Sequence, residues 1–183
     1  MAKHQVLFIH GAGNQRRPDG SGALIAYLQN KLGSDYDVLS PDMPDPDHPR
    51  YEAWKAGVEK ELAALDAKPI LIGHSLGGSV LLKCLSQGAH HERLAGLFLV
   101  AVPYWGKDED WKLEWALPDD FGSRLPPISR IFLYHSRDDD QVPFAHLGHY
   151  QEKLPQASAR ALAGREHSFT GGLPELVDDV RSL

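Results

Sequence analysis

Short, largely apolar runs alternate with longer stretches of helical spacing. The apolar runs lie at 6–9, 36–39, 69–72, 94–102 and 130–134, with a weaker one at 157–162. Runs apolar throughout, rather than at every second position, are the pattern of strands buried on both faces. Between them, 22–32, 51–65, 76–87, 144–153 and 174–181 space their apolar residues as helices do, and Pro174 suits the first turn of the last one. The alternation predicts an α/β fold, a three-layer α/β/α sandwich around a mostly parallel sheet of about six strands. In such a sheet the functional site lies beyond the carboxyl ends of the strands. No repeat, linker or low-complexity tract divides the chain, so residues 1–183 are expected to form a single domain. The stretch 103–127 is longer than an ordinary connection and carries Trp105, Trp111 and Trp115. Asp108 is placed to cap a short helix bearing the last two. The insert reads either as packing over the strand ends or as a cap lining a pocket.

Composition narrows the function classes. A chain of 183 residues with 42% apolar content suits one compact core. Its net charge of −6 disfavours nucleic acid and anionic membrane as partners. No apolar run is long enough to span a bilayer, and the start lacks the apolar core of a signal peptide. Cys84 is the only cysteine, which excludes an intrachain disulfide and a thiolate zinc site. A cytoplasmic location is expected.

The sharpest chemical signal is Gly73-His74-Ser75-Leu76-Gly77, placed between a strand-like run and a helix. A serine on so tight a turn needs small neighbours two residues away on each side, and Gly73 and Gly77 supply them. Gly78 lets the helix approach the sheet. The turn lifts the Ser75 hydroxyl clear and aims the helix N-terminus at any oxyanion forming beside it. A serine hydroxyl needs a base. Of ten histidines, His167 is best placed, after the last strand-like run and before the final helix. His135 lies at a strand end, and His90 and His91 follow a helix on the opposite edge. His146 and His149 read as surface residues, because no carboxylate or thiolate partner points to a metal site. An acid is expected in the loop Asp138-Asp139-Asp140-Gln141-Val142-Pro143, where three candidates stand side by side. The loop His10-Gly11-Ala12-Gly13-Asn14 after the first strand should supply a second oxyanion donor. Leu76 and Ala12 N–H groups form the expected pair, with Gly13 next in line, and His10 reads as a brace for the loop. Gly11, Gly13, His74 and Trp105 are the expected substrate-binding residues.

Two rival motifs fail. Gly11-Ala12-Gly13 would open a dinucleotide fingerprint, but Arg16 stands where the third glycine belongs. Gly73 to Gly78 has the spacing of a phosphate loop, but Ser79 replaces its lysine. Arg16 and Arg17 read as exposed residues beside the oxyanion loop.

On these residues the chain resembles the α/β-hydrolase superfamily. More narrowly, it resembles the small serine hydrolases related to the retinoblastoma-binding protein. The likeness runs through 8–14, the proline-rich 41–49 leading to Trp54, 73–78, Val100-Ala101-Val102-Pro103 with Trp105, the aspartate loop and His167. It implies a minimal α/β-hydrolase fold lacking the first two strands of larger relatives. It also implies a Ser–His–Asp triad acting on small or short-chain esters without metal or organic cofactor. Acid loops of such hydrolases commonly read Asp-x-x-Val-Pro, which selects Asp139. Thioesterase or peptidase action on the same residues is the nearest alternative. Members of this group also bind other proteins, so a protein-binding module on a hydrolase scaffold is the alternative of a different class.

Overall fold

The computed structural model describes residues 3–15, 20–66, 68–89, 92–106 and 113–183. Its six strands are β1 (His4–Ile9), β2 (Tyr36–Leu39), β3 (Ile70–His74), β4 (Gly96–Val100), β5 (Ile131–Ser136) and β6 (Ser158–Leu162). Five α-helices alternate with them: α1 (Gly22–Leu32), α2 (Tyr51–Ala63), α3 (Leu76–Ser86), α4 (Ala145–Lys153) and α5 (Pro174–Arg181). The strands form one sheet in the order β2-β1-β3-β4-β5-β6, and every pairing is parallel. This is the minimal α/β-hydrolase architecture.

Strand periodicity sorts the core into two layers. Val6 and Phe8 of β1 face the side covered by Leu24 and Leu28 of α1 and Leu176 and Val180 of α5. Leu7 and Ile9 face the other side, against Trp54 and Val58 of α2 and Val80 and Leu81 of α3. The central strands β3, β4 and β5 are buried at every position, whereas edge strand β6 is half exposed. That explains why the apolar run of β6 is the weakest in the sequence. Each fully buried side chain of this kind contributes about 1.5–3 kcal/mol of transfer free energy.

Most element boundaries differ from the sequence reading by one or two residues, and the following departures are the most informative. The run 94–102 yields a strand only over Gly96–Val100. Leu94 makes an isolated bridge to Ile128, and Ala101 leaves the strand with φ of +48°. Helix α2 ends at Ala63 rather than at 65. In the insert, Leu113–Trp115 and Phe121–Arg124 form single 3₁₀ turns. Asp108 and Trp111, and with them the expected capped helix, lie outside the described residues. So do Arg16, Arg17, His90 and His91. Among the described residues no helix is long and apolar enough to cross a membrane.

Candidate active site

Ser75 sits between β3 and α3 with φ of 51° and ψ of −124°, a left-handed conformation that a non-glycine residue adopts only where its surroundings impose it. Packing imposes it here. A Cβ at Gly77 would lie 2.1 Å from the Ile9 carbonyl oxygen, and one at Gly73 would lie 2.4 Å from the Gly78 Cα. The chain can therefore turn this tightly only with glycine at both positions. The Ser75 N–H donates to the Val100 carbonyl at 2.8 Å, which pins the turn to the end of β4.

His167 is carried by the loop between β6 and α5. Glu166 (φ 54°) and Phe169 (φ 50°) flank it with left-handed backbone, and Phe169 is fully buried as the anchor of the loop. His167 Nδ1 lies 2.9 Å from Asp139 Oδ2 and 3.1 Å from Oδ1. An imidazole facing a carboxylate donates from that nitrogen, which leaves Nε2 to accept a proton. Asp139 is held in turn. Its Oδ1 accepts the N–H groups of Gln141 at 2.9 Å and Val142 at 2.8 Å, and His135 Nε2 approaches Oδ2 to 3.2 Å. Burial by itself would raise the Asp139 pKa. The hydrogen bonds from His135, His167 and Val142 outweigh it and hold the carboxyl well below the usual carboxylate range.

The neighbouring aspartates do other work. Asp138 accepts from the Ser136 hydroxyl and, at 2.9 Å, from the Gly164 N–H, and so ties the acid loop to the loop of His167. Asp140 is exposed. Of the three, only Asp139 meets the imidazole.

A cavity of about 410 Å³ opens at the carboxyl end of the sheet, lined by Ser75, His167, Leu76, Ala12, Trp105 and Trp115, with Asp47, Pro49, Pro103, Gln141 and Val142 completing it. A depression with Lys68, Arg93 and Arg130 lies at the opposite end of the strands, away from these groups. Leu76 is the first residue of α3, so its N–H has no intrahelical acceptor. In the loop after β1, the Gly11 N–H is spent on Ser21 Oγ at 2.9 Å and the Gly13 N–H on the Pro46 carbonyl at 2.6 Å. Ala12, between them, faces the cavity.

These contacts correct three expectations. Gly13 is not a spare oxyanion donor, and neither Gly11 nor Gly13 lines the cavity. Gly11 matters for close approach instead, because a Cβ there would stand 3.2 Å from the Ser75 Cβ. His74 is not a substrate contact either. It is buried, with Nδ1 2.8 Å from Ser21 Oγ and Nε2 2.8 Å from the His167 carbonyl oxygen. His146 is likewise buried rather than superficial, and its Nδ1 accepts the Tyr104 N–H at 2.8 Å. With the Tyr150 hydroxyl donating to the Pro103 carbonyl at 2.8 Å, it fastens the segment bearing Trp105. His10 braces as expected, between the Gly11 carbonyl at 2.7 Å and the Met43 N–H at 2.9 Å.

Trp105 lines the cavity and donates its indole N–H to Ser79 Oγ at 2.7 Å. Trp115 is 1% exposed and packs edge-on to Tyr51 and Trp54. Cys84 is buried in the core, and burial pushes its thiol up to about 12, out of range for nucleophilic chemistry. Among the described residues no three His, Cys, Asp or Glu side chains converge on a metal position.

The sequence reading did not single out Ser21, Asp47, Pro49, Gln141 or Val142 as site residues. For Asp47 and Pro49 the available signal was the proline-rich stretch between β2 and α2. For Ser21 it was only a helix-start serine, a position that ordinarily caps its own helix.

No curated protein matches the chain. Among solved structures it is similar to the ydeN gene product of B. subtilis, at 22% identity over 98% of both chains with a TM-score of 0.79. It is also similar to a serine hydrolase involved in carbazole degradation, at 15% identity over 98% of this chain and 90% of that one with a TM-score of 0.73. An esterase from Rhodococcus sp. matches at 19% identity, with the same coverage and the same TM-score. At these identities the likeness speaks for the fold. The alpha/beta hydrolase family matches residues 6–182, nearly the whole of the sequence, and the chain belongs to that family.

Proposed function

We propose that the protein is a serine hydrolase that cleaves small or short-chain carboxylic esters through an acyl-enzyme. The observation that carries this reading is the buried Asp139–His167 pair at a cavity that also receives Ser75 on its strained turn. In the proposed reaction Ser75 Oγ attacks the acyl carbonyl carbon while its proton passes to His167 Nε2. Leu76 and Ala12 N–H groups stabilise the negative charge on the carbonyl oxygen. Collapse breaks the bond to the leaving alcohol, which takes the proton from His167. Water then gives a proton to His167 and attacks the acyl carbon, and Ser75 Oγ departs with that proton. Asp139 holds the imidazole in the required tautomer and stabilises its cation.

Substrate size follows from the walls. Two indoles and Pro103 give an apolar surface, and about 410 Å³ suffices for a small acyl group and its alcohol between these walls. Turnover of p-nitrophenyl esters from acetate to palmitate tests the reading. It predicts highest kcat/KM at two to six acyl carbons and none in Ser75→Ala. A preference for long chains, or equal rates in Ser75→Ala, would overturn it. A protein-binding role finds less support, because Trp105 and Trp115 are both engaged within the fold. The single buried thiol accords with the proposed cytoplasmic location.

A further inference from the structure

Ser21 occupies the N-cap position of α1, yet its side chain makes no capping hydrogen bond to that helix. It is fully buried, and its hydroxyl is committed elsewhere. It accepts the Gly11 N–H at 2.9 Å and stands 2.8 Å from His74 Nδ1. His74, 1% exposed, reaches the His167 carbonyl at 2.8 Å through Nε2.

The direction of every hydrogen bond in this run is determined. The Gly11 amide can only donate, and the His167 carbonyl can only accept. His74 Nε2 must therefore carry the ring proton, which leaves Nδ1 with a lone pair. The Ser21 hydroxyl, already accepting from Gly11, donates to that lone pair. The chain reads Gly11 N–H to Ser21, Ser21 O–H to His74, His74 Nε2–H to His167. The opposite tautomer would set a lone pair against the carbonyl oxygen. Burial, the largest influence on the ring, pushes the His74 pKa down to about 3, so the neutral form the chain requires is the one present.

The end points give the chain its meaning. Gly11 adjoins Ala12, the proposed oxyanion donor. His74 adjoins Ser75. The last acceptor is the backbone of His167 itself. One buried side chain thus bonds towards the loops on both sides of the nucleophile, and its ring stacks at a tilt 5.0 Å from the ring of His167. We propose that Ser21 and His74 are positioning residues, a one-way hydrogen-bond chain that fixes the spacing between the oxyanion loop and the base across Ser75. The proposal rests on the hydrolase reading for its kinetic consequence, but not for the coupling between the loops.

Four proteins test it: Ser21→Ala, His74→Phe, His74→Gln and the double variant Ser21→Ala/His74→Phe. Glutamine keeps an acceptor and a donor on one planar group, and phenylalanine keeps the ring without either. On p-nitrophenyl acetate, Ser21→Ala and His74→Phe should each lower kcat about 10- to 100-fold, since misplacement by about 1 Å costs that much. KM should stay within about twofold. His74→Gln should recover most of the loss, and the double variant should be no worse than the poorer single one, because both break the same chain. Equal losses in His74→Gln and His74→Phe, or losses that multiply in the double variant, would show ordinary core packing and overturn the proposal.

Nuclear magnetic resonance of the imidazoles supplies a readout independent of turnover. His74 should show a slowly exchanging Nε2 proton, and Ser21→Ala should shift the resonances of His167, which Ser21 does not touch. An Nδ1–H tautomer at His74, or an unmoved His167 in Ser21→Ala, would refute the coupling even if no ester is turned over. Conversely, the NMR signature without any ester turnover would retain the coupling and count against the hydrolase reading alone.

Discussion

The two ends of the sheet differ in how they treat the backbone. Of the described non-glycine residues with positive φ, Ser75 and Ala101 follow β3 and β4 directly, Asp45 lies in the connection after β2, and Glu166 and Phe169 flank His167 after β6. Only Lys68 precedes a strand. Buried imidazoles collect at the same carboxyl end, with His10, His74, His135 and His167 all at most 3% exposed. At the amino end, Lys68, Arg93, Ser129 and Arg130 stand in solvent. The same six strands thus carry strain and buried polarity at one end and an ordinary charged surface at the other. Strain of about 1–3 kcal/mol per residue persists only where surrounding structure imposes it. At the carboxyl end it places Ser75 and the loop bearing His167 at one cavity, which the hydrogen-bonded loop of Asp139 completes.

The comparison breaks most severely at the acid. Asp139→Asn should lower kcat by about 10⁴, because the amide no longer fixes the tautomer of His167. Asp140→Asn should leave activity near wild type. Asp138→Asn should fall between them, because its carboxylate ties two site loops. Rates of the three on one p-nitrophenyl ester decide the ranking, and equal losses would contradict it.

Next comes the glycine contrast. Gly77→Ala forces a Cβ against the Ile9 carbonyl and should destabilise by several kcal/mol, about 3 or more, or abolish folding. At Gly148 in α4 a Cβ meets nothing within 4 Å, so Gly148→Ala should stabilise by about 0.5–1 kcal/mol. Chemical denaturation reports both.

Acid stability gives a third test. The buried His74 binds its proton only near pH 3, whereas an unfolded histidine titrates near 6.5. Between those values the unfolded chain holds the extra proton, so stability rises with pH across the window and falls as pH drops from about 6.5. His10, also lowered by burial, acts in the same direction. Asp139, with its depressed pKa, contributes stability that is lost only below the ordinary carboxylate range. Tm should therefore drop between pH 7 and 5, and the slope should flatten in His74→Gln. An unchanged slope in that variant would remove His74 from the account.

The smallest effect concerns Asp47, the exposed carboxylate on the cavity wall. Asp47→Asn should improve kcat/KM for a negatively charged ester about two- to fivefold at low salt and leave a neutral ester unchanged, as an exposed charge interaction of under about 1 kcal/mol allows.

Much of this was legible in the sequence because the relevant constraints are local. Gly73 and Gly77 announce a tight strand-to-helix turn and apolar runs announce buried strands, whereas Asp139 stands out from its two neighbours only through the Asp-x-x-Val-Pro loop of the hydrolases that the chain resembles. The roles of His74, Ser21 and His146 were not legible. A histidine beside the serine of a tight turn looks like a substrate contact until the fold shows its ring turned towards its own partners, Ser21 and His167. Those partners lie 53 and 93 positions away in the chain, and no local pattern encodes such a meeting. His146 looked superficial because spacing along a helix gives a face but not what packs on it.

The most direct test is reaction of the purified protein with a fluorophosphonate, followed by peptide mapping. The account predicts one adduct per chain, on the peptide bearing Ser75, formed far more slowly in His167→Ala. An intact, folded protein that stays unlabelled, or that labels equally well without the imidazole of residue 167, would contradict it.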